Sequence, residues 1–438
     1  MEQVELDVRT LRRPGTSDGI FRRLVLHQLS RMDRGHMRIV LPEGDVLELG
    51  DRTAERHALI RITRNSFFRK CVLYGDVGFG EAYVDGDWET PSVTDVIAWF
   101  LLNLESAPGV SGSGRKSAGL NILKLVNTFG HRLRDNTVRG SRRNIAEHYD
   151  LGNDFFAQVL DPGMTYSCAY FARPGDTLEQ AQTEKYDRLC RRLGLTPAHH
   201  VLEIGSGWGG FAVHAAGRYG CRVTSISVSR EQVAYARRRV RERGLAERVD
   251  IRLQDYRTLT GSFDRIVSIE MLEAVGHRHM ESFFARCHAL LKRDGLMGLQ
   301  VIVAPDARYD ELRRGVDWIQ KHVFPGSLLP SIARINLAIN RTGTMVLHDL
   351  LDIGPHYART LREWRANFAR NRDRLKAAHA EVRFARTWNY YLSYCEAAFA
   401  MRNISVVQMI YTRPNNTAIA DGPAAAAEAA LEYGRSMS

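Results

Sequence analysis

Between residues 201 and 303 two patterns alternate along the chain. Short, almost wholly apolar runs at 201–204, 221–226, 249–253, 264–269 and 295–303 predict strands covered on both faces. Stretches whose apolar residues recur every three or four positions, at 209–217, 230–243 and 277–291, predict helices between them, and a further helix is predicted at 177–193. Strands alternating with helices of this length specify an α/β fold with a doubly wound, mainly parallel sheet.

The first hundred residues are patterned differently. Met37 to Leu49 reads as two short strands around the turn Pro42-Glu43-Gly44-Asp45, and His57 to Ile62 as a denser strand before the pair Phe67-Phe68. Tyr74 to Trp88, rich in glycine and aromatics, predicts tight turns with packed rings, and 91–105 predicts an amphipathic helix with a strongly apolar face. Residues 1–108 thus form a smaller α+β domain. Pro108 to Gly114 is flexible by composition. Residues 115–143 carry eight Lys or Arg against the single acid Asp135, with Ile122, Val126, Phe129 and Leu133 at helical spacing. Such a basic amphipathic helix either lies on an anionic membrane surface or packs on the protein with its charges solvated. The alanine-rich tail from Ala418 reads as a terminal helix or frayed end. The expected partition is therefore 1–108, a basic linker at 109–143, and a third segment, 144–438, that holds the large sheet.

Composition adds one constraint. Lys plus Arg number 61 against 50 acids, an excess of 11 positive charges that points to an anionic partner or to an inert basic surface. The six cysteines lack C-x-x-C spacing, which argues against a disulfide framework or structural zinc and for a reducing cytoplasm. The acidic N-terminus lacks the order of a signal peptide, and the run Val96–Leu102 falls far short of the ~20 residues of a membrane span. His199, His200, His277 and His279 belong to no metal-ligand set.

The chemistry begins after the first strand, at Glu203-Ile204-Gly205-Ser206-Gly207-Trp208-Gly209-Gly210. Glycines here turn a strand sharply into a helix whose N-terminal N–H groups face an anionic or polar ligand. Gly205, Gly207 and Gly210 satisfy a dinucleotide loop, whereas Glu203 with Gly205, Gly207 and Gly209 fits the E-x-G-x-G-x-G loop of S-adenosylmethionine (SAM) enzymes. A ligand-free turn is the third reading. A dinucleotide site wants an acid at the end of the second strand, and 221–229 ends without one.

In such a sheet ligands sit beyond the carboxyl ends of the strands. After the second strand, Ser227, Ser229 and Gln232 offer hydroxyls and an amide for a ribose. After the third come Gln254, Asp255 and Tyr256, an acceptor for an adenine amine and a ring to cover it. After the fourth comes Glu270-Met271-Leu272-Glu273-Ala274-Val275-Gly276-His277. Each also reads as a solvated loop end; jointly they agree with a SAM pocket.

A specific resemblance then emerges. His148 to Phe156, Tyr166-Ser167-Cys168-Ala169-Tyr170-Phe171, the Glu203–Gly210 loop, Phe79 to Trp88 and Tyr390 to Phe399 resemble, in order, the cyclopropane-fatty-acyl-phospholipid synthase family, over about residues 35–413. The resemblance implies a Rossmann-like SAM-dependent methyltransferase sheet over 144–438, with Tyr166 and Ser167 added to the cofactor contacts, and an N-terminal domain that engages lipid or mediates dimerisation. It implies methyl transfer to the cis double bond of an unsaturated phospholipid acyl chain, leaving a carbocation that closes to a cyclopropane on losing a proton. It also implies a bound bicarbonate as base, held by the backbones of Cys168 and Ile302 and by Glu273 and Tyr357. A cytoplasmic homodimer, peripheral on the inner face of an anionic membrane and without a nucleic-acid partner, completes the expectation.

One position departs. The family's L-H-T-I motif is Leu299-Gln300-Val301-Ile302 here, and glutamine donates a hydrogen bond but shuttles no proton. Gln at this position resembles relatives that give methylene- or methyl-branched chains, so a branched product is the alternative to the cyclopropane. Cys395, in the last motif, is carried as a candidate of the same site, although neither it nor Cys168 has a readable histidine partner. A nucleotide-binding oxidoreductase and an inactive lipid-binding homologue are the remaining readings; the acid-free second strand opposes the former, and retention of Glu273 and Tyr357 the latter.

Overall fold

The computed structural model describes residues 18–104, 151–375, 381–417 and 419. Helix α1 (Asp18–Leu29) precedes strands β1 (His36–Val40), β2 (Val46–Gly50) and β3 (His57–Ile62), helix α2 (Ser66–Val84), the short strand β4 (Trp88–Glu89) and helix α3 (Val93–Leu102). Helices α4 (Asn153–Val159) and α5 (Leu178–Arg192) lead into β5 (His200–Ile204), α6 (Gly210–Tyr219), β6 (Arg222–Ser227), α7 (Arg230–Glu242), β7 (Val249–Leu253), β8 (Phe263–Ile269), α8 (Met280–Leu290) and β9 (Leu291–Val303). Then come α9 (Asp306–Leu312), α10 (Trp318–His322), α11 (Ile332–Thr342), β10 (Val346–Asp352), α12 (Gly354–Arg370), α13 (Val382–Ala400) and β11 (Ser405–Thr412). No helix among the described residues is long and apolar enough to cross a membrane.

The described residues form two compact units. One takes in those before 105 together with 310–325 and 375–403; the other holds 151–309, 326–374 and those from 404 on. The sequence partition assigned everything after 143 to one domain, so α10 and α13 fall on the other side of the division. The basic linker helix, the motif residues 148–150 and the alanine-rich tail lie outside the described residues.

The second unit is built on a seven-stranded sheet of order β10-β11-β9-β8-β5-β6-β7. Strands β5 to β9 run parallel, and β11 joins antiparallel to both β9 and β10. The parallel strands read as unbroken apolar runs because both faces are covered. Leu202, Ile204 and Ile266 pack with Phe283, Phe284, Ile335 and Ile339 on one side. Val201, Val223 and Val267 pack with Leu189, Phe211 and Val233 on the other. Helix α5 starts where expected because Thr177 and Gln180 form a reciprocal cap, each side chain accepting from the other's backbone N–H.

The first unit has a four-stranded sheet, β2-β1-β3-β4, in which β1 and β2 make the expected hairpin and β3 lies parallel to β1. Tyr74 to Trp88 differs from its reading as turns. Most of it is helix α2, kinked at Gly75 (φ 59°, ψ −132°), and only Asp85–Asp87 turn the chain into β4. Its glycines serve contact rather than reversal. A Cβ at Gly80 would lie 2.4 Å from Trp318 Cδ1 and 2.8 Å from Tyr390 Cε1, so α10 and α13 press directly on this helix. The rings do pack as expected: Phe79 and Trp88 are 4.6 Å apart and Tyr83 and Tyr390 5.7 Å. Lys321 and His322 on α10 hold Glu81, whose carboxyl is lowered to about 2 by those hydrogen bonds.

Gly80→Ala tests this packing. Overpacking by one methyl, about 1–3 kcal/mol, outweighs the ~1 kcal/mol that alanine adds to a helix, so the thermal midpoint should fall. A variant as stable as its parent would mean that Trp318 and Tyr390 do not seat on α2.

Candidate active site

At the carboxyl end of β5 the chain turns through Gly205 (φ 102°), Gly207 (φ 47°) and Gly209 (φ 82°), left-handed conformations that explain the glycines. The N–H groups of Gly205 and Ser206 donate to the Ile226 carbonyl at the end of β6, which pins the loop to the neighbouring strand. A Cβ at Gly207 would meet nothing within 4 Å, whereas one at Gly205 would lie 3.2 Å from the Met271 side chain. The loop is therefore open at its tip and closed where it meets the residues after β8.

The ends of β6 and β7 are organised by hydroxyls and amides. Ser229 caps α7 by accepting from the Gln232 N–H, Ser227 Oγ donates to Gln232 Oε1 (3.0 Å), and Gln254 N–H donates to the Ser227 carbonyl. Asp255 is buried and holds Arg257 through both oxygens (2.8 Å each), while Tyr256 packs edge-on to Phe283. Glu203 differs from a simple ligand contact. It is buried in β5 and accepts from Ser225 Oγ on β6, and burial raises its carboxyl to about 8. At neutral pH it is mainly a neutral hydrogen-bonding group.

The densest polar cluster lies past the end of β8, around a residue given no role from sequence. Glu270 has a left-handed backbone (φ 48°), uncommon for a side chain of its size. Its N–H donates to the Gln300 carbonyl (2.7 Å). Its Oε1 accepts from Cys168 N–H and from Gln300 Nε2, both at 2.8 Å, and its Oε2 accepts from the Tyr357 hydroxyl at 2.7 Å. Gln300 Nε2 also donates to the Cys168 carbonyl (3.1 Å), and its Oε1 accepts from Gln408 Nε2 (3.0 Å), its register partner on β11. One turn on, Glu273 Oε1 accepts from Ile302 N–H (2.6 Å), and its Oε2 is buried without a protein partner. Burial first, and then the adjacent Glu270 charge, raise Glu273 to about 8. Burial raises Glu270 too, but Lys185, Gln300, Tyr357 and the Cys168 N–H oppose that rise. These groups favour the charged form of Glu270 against the effect of its burial.

Lys185, fully buried on α5, donates to Ser167 Oγ (2.6 Å), and burial lowers its ammonium to about 8. A row of aromatic rings joins the glycine loop to this cluster: Trp208 to Phe156 (5.1 Å), Phe156 to Tyr166 (5.3 Å), Tyr166 to Trp364 (5.2 Å) and Trp364 to Tyr357 (5.9 Å).

The structure thus gathers Cys168, Glu273, Gln300, Ile302 and Tyr357, as expected from sequence, but around Glu270. The Cys168 N–H and Tyr357 hydroxyl assigned to bicarbonate already hold the Glu270 carboxylate, and the Ile302 N–H holds Glu273. This donor set does not fit an additional bicarbonate. Cys395 lies on α13 in the first unit, and burial pushes its thiol far above the ordinary value. The Cys168 thiol is likewise raised by burial, so that residue contributes its backbone. Glu270 was visible as one of two acids in the loop after the fourth strand; no local pattern said which would gather the donors.

A doubly wound sheet with this glycine loop and these strand-end side chains defines a SAM-dependent methyltransferase. Residues 136–409 match the family described as mycolic acid cyclopropane synthetase, and the chain belongs to that family. It is 37% identical over 398 residues to the tuberculostearic acid methyltransferase UfaA1 of Mycobacterium tuberculosis, covering 89% of this chain and 91% of that one. It is 36% identical to the cyclopropane-fatty-acyl-phospholipid synthase of Escherichia coli K12, covering 81% and 87%. Among solved structures, the cyclopropane synthase MmaA2 of M. tuberculosis matches with 31% identity and a TM-score of 0.57, over 62% of this chain and 98% of that one. The synthase CmaA1 complexed with SAH and CTAB matches equally well.

The raised Glu203 carboxyl has a thermodynamic sign. Its contribution to stability is complete below the unfolded value near 4.5 and is lost as pH rises toward about 8, where the folded protein must ionise it. Glu203→Gln removes that loss. Its thermal midpoint should gain on the wild type steadily between about pH 5 and 8; a gap that does not change with pH would show Glu203 already ionised in the fold.

Proposed function

We propose that this enzyme transfers the SAM methyl group to the cis double bond of an unsaturated phospholipid acyl chain. The observation that carries the reading is the aromatic row running from Trp208 in the glycine loop to Tyr357, with the half-buried carboxylate of Glu270 at its far end. Rings presenting their faces stabilise a cation in a dry site, and a nearby carboxylate is suited to remove its proton. The names of the relatives, an acyl-phospholipid synthase and a fatty-acid methyltransferase among them, support the substrate class.

The loop Gly205–Gly209 with Ser206, the Ser227–Ser229–Gln232 group, Gln254, Asp255, Tyr256, Tyr166 and Ser167 would hold the methyl donor. Bound there, SAM supplies an electrophilic sulfonium methyl. An alkene is a weak nucleophile, so the residues around it must align the double bond and exclude water. Trp208, Phe156, Tyr166, Trp364 and Tyr357 supply the apolar wall and the cation-facing rings. Loss of a proton from the added methyl then closes a cyclopropane, the product proposed here.

Two observations favour a second product, a branched chain. Gln300 cannot relay a proton, and UfaA1, by its name, makes tuberculostearic acid. If a hydride shifts to the cationic carbon before the proton leaves, the same proton loss gives a methylene branch on the open chain. A saturated methyl branch would require a further hydride donor. Lipid extracts of an expressing host, analysed by mass spectrometry before and after ozonolysis, separate these outcomes. The cyclopropane survives ozone and the methylene is cleaved, while unchanged acyl chains would remove the substrate assignment.

The first unit is proposed to engage the bilayer or a second copy of the chain, on the inner face of the membrane. The excess of 11 positive charges supports an anionic lipid surface. Binding to vesicles containing phosphatidylglycerol should weaken several-fold from low to physiological salt, because exposed charges are screened; salt-independent binding would discredit the electrostatic part.

A further inference from the structure

We propose that the carboxylate of Glu270 is the base that removes the proton in this reaction, taking the place that the resemblance assigns to bicarbonate. The inference rests on the acyl-chain methyl transfer proposed above.

The first argument is occupancy. Carboxylate and bicarbonate present the same accepting face, a planar pair of oxygens sharing one negative charge. The Cys168 N–H and the Tyr357 hydroxyl cannot serve both, and here they serve Glu270. A second anion would be added to a buried site where the charge on Glu270 already raises Glu273.

The second argument is geometry. Glu270 Oε1 has both lone pairs engaged, by Cys168 and Gln300, whereas among the described residues Oε2 is engaged by Tyr357 alone. That leaves one lone pair on Oε2 to accept a proton. The next residue, Met271, packs on Gly205, which puts the carboxylate one residue from the methyl-donor loop.

The third argument is cost. Even a half-buried carboxylate is a costly way to tie segments together when an amide would do so without a charge. Glu270 also holds a left-handed backbone that a side chain tolerates only when its surroundings fix it, a strain typical of functional positions.

The step balances as follows. The π pair of the alkene forms the new C–C bond to the methyl while the S–CH3 bond breaks and its electrons remain on sulfur, leaving the adjacent carbon cationic. Oε2 of Glu270 takes a proton from the added methyl. The released C–H pair closes the third side of the ring or, after a hydride shift, forms the double bond of a methylene branch. Glu270, now neutral, returns its proton to water once the products leave. Gln300, held by Gln408, acts as a positioning donor throughout.

The test uses the full-length enzyme, SAM and dioleoyl phosphatidylglycerol vesicles, in buffer purged of carbon dioxide and in the same buffer with saturating bicarbonate. Release of demethylated cofactor and acyl product are both followed. Equal wild-type rates in the two buffers are expected, and a rate that collapses without bicarbonate and returns with it would overturn the proposal. Glu270→Gly should lose about 10²-fold or more in turnover and recover part of it with added bicarbonate or acetate. Glu270→Gln, whose amide fills the place, should be as slow and should not be rescued. Stabilisation of both variants by SAM in a thermal shift shows that they fold and bind. A Glu270→Gln enzyme of near wild-type rate would overturn the proposal even if the glycine variant failed to fold. A wild type inactive in both buffers would instead bring down the acyl-chain reading itself, and this inference with it.

Discussion

Taking a carboxylate out of water demands a donor for its charge from several directions, and the second unit is arranged to meet that demand at Glu270. The backbone of Cys168, the amide of Gln300 on β9 and the hydroxyl of Tyr357 on α12 converge on it from parts of the chain far apart in sequence. Each donor is itself fixed: Gln300 by Gln408 on the antiparallel strand β11, and the segment after Cys168 by the Thr360 hydroxyl bonded to the Ala169 N–H. A charged hydrogen bond in such surroundings is worth more than one in water, and an unpaired buried charge costs several kcal/mol, roughly a third or more of a typical domain's stability. The carboxylate therefore acts as a keystone for β8, β9, α12 and the segment before α5. The same surroundings separate the two acids: burial first, and then the adjacent Glu270 charge, raise Glu273, while four groups around Glu270 oppose its own rise.

Much of this was legible from residue pattern. The five parallel strands were placed within a few residues, since burial on both faces leaves an apolar run that few other contexts produce. The antiparallel pair was not anticipated. β10 is mostly exposed or half-exposed along its length and so carries no run, and β11 was absorbed into a motif-rich C-terminal stretch. Glycine misled at 74–88, where Gly80 permits two aromatic side chains to touch a helix, a use of the missing side chain that looks the same in sequence as a turn.

The site divides along similar lines. Cys168, Glu273, Gln300, Ile302 and Tyr357 were named from resemblance, and they do lie together. The organising residue was missed because its role follows from a left-handed backbone at one position, and an acidic loop with two glutamates three apart gives no sign of which one gathers the donors. Cys395 was included because its motif matched, but motif membership does not say in which unit a helix lies. Lys185 and Gln408 sit in helix and strand interiors, where a polar residue reads as solvent-facing until the tertiary fold buries it.

The left-handed backbone at Glu270 also bears on how such enzymes diverge. Glycine occupies that region of backbone space freely, and every glutamate codon becomes a glycine codon by a single transition. Exchange between a protein-borne anion and an open anion site at this position is thus one mutational step that leaves the surrounding main chain undisturbed. A lineage can cross in either direction without repacking its sheet, and under the proposal above this one residue, not the glycine loop, is where the source of the base is decided.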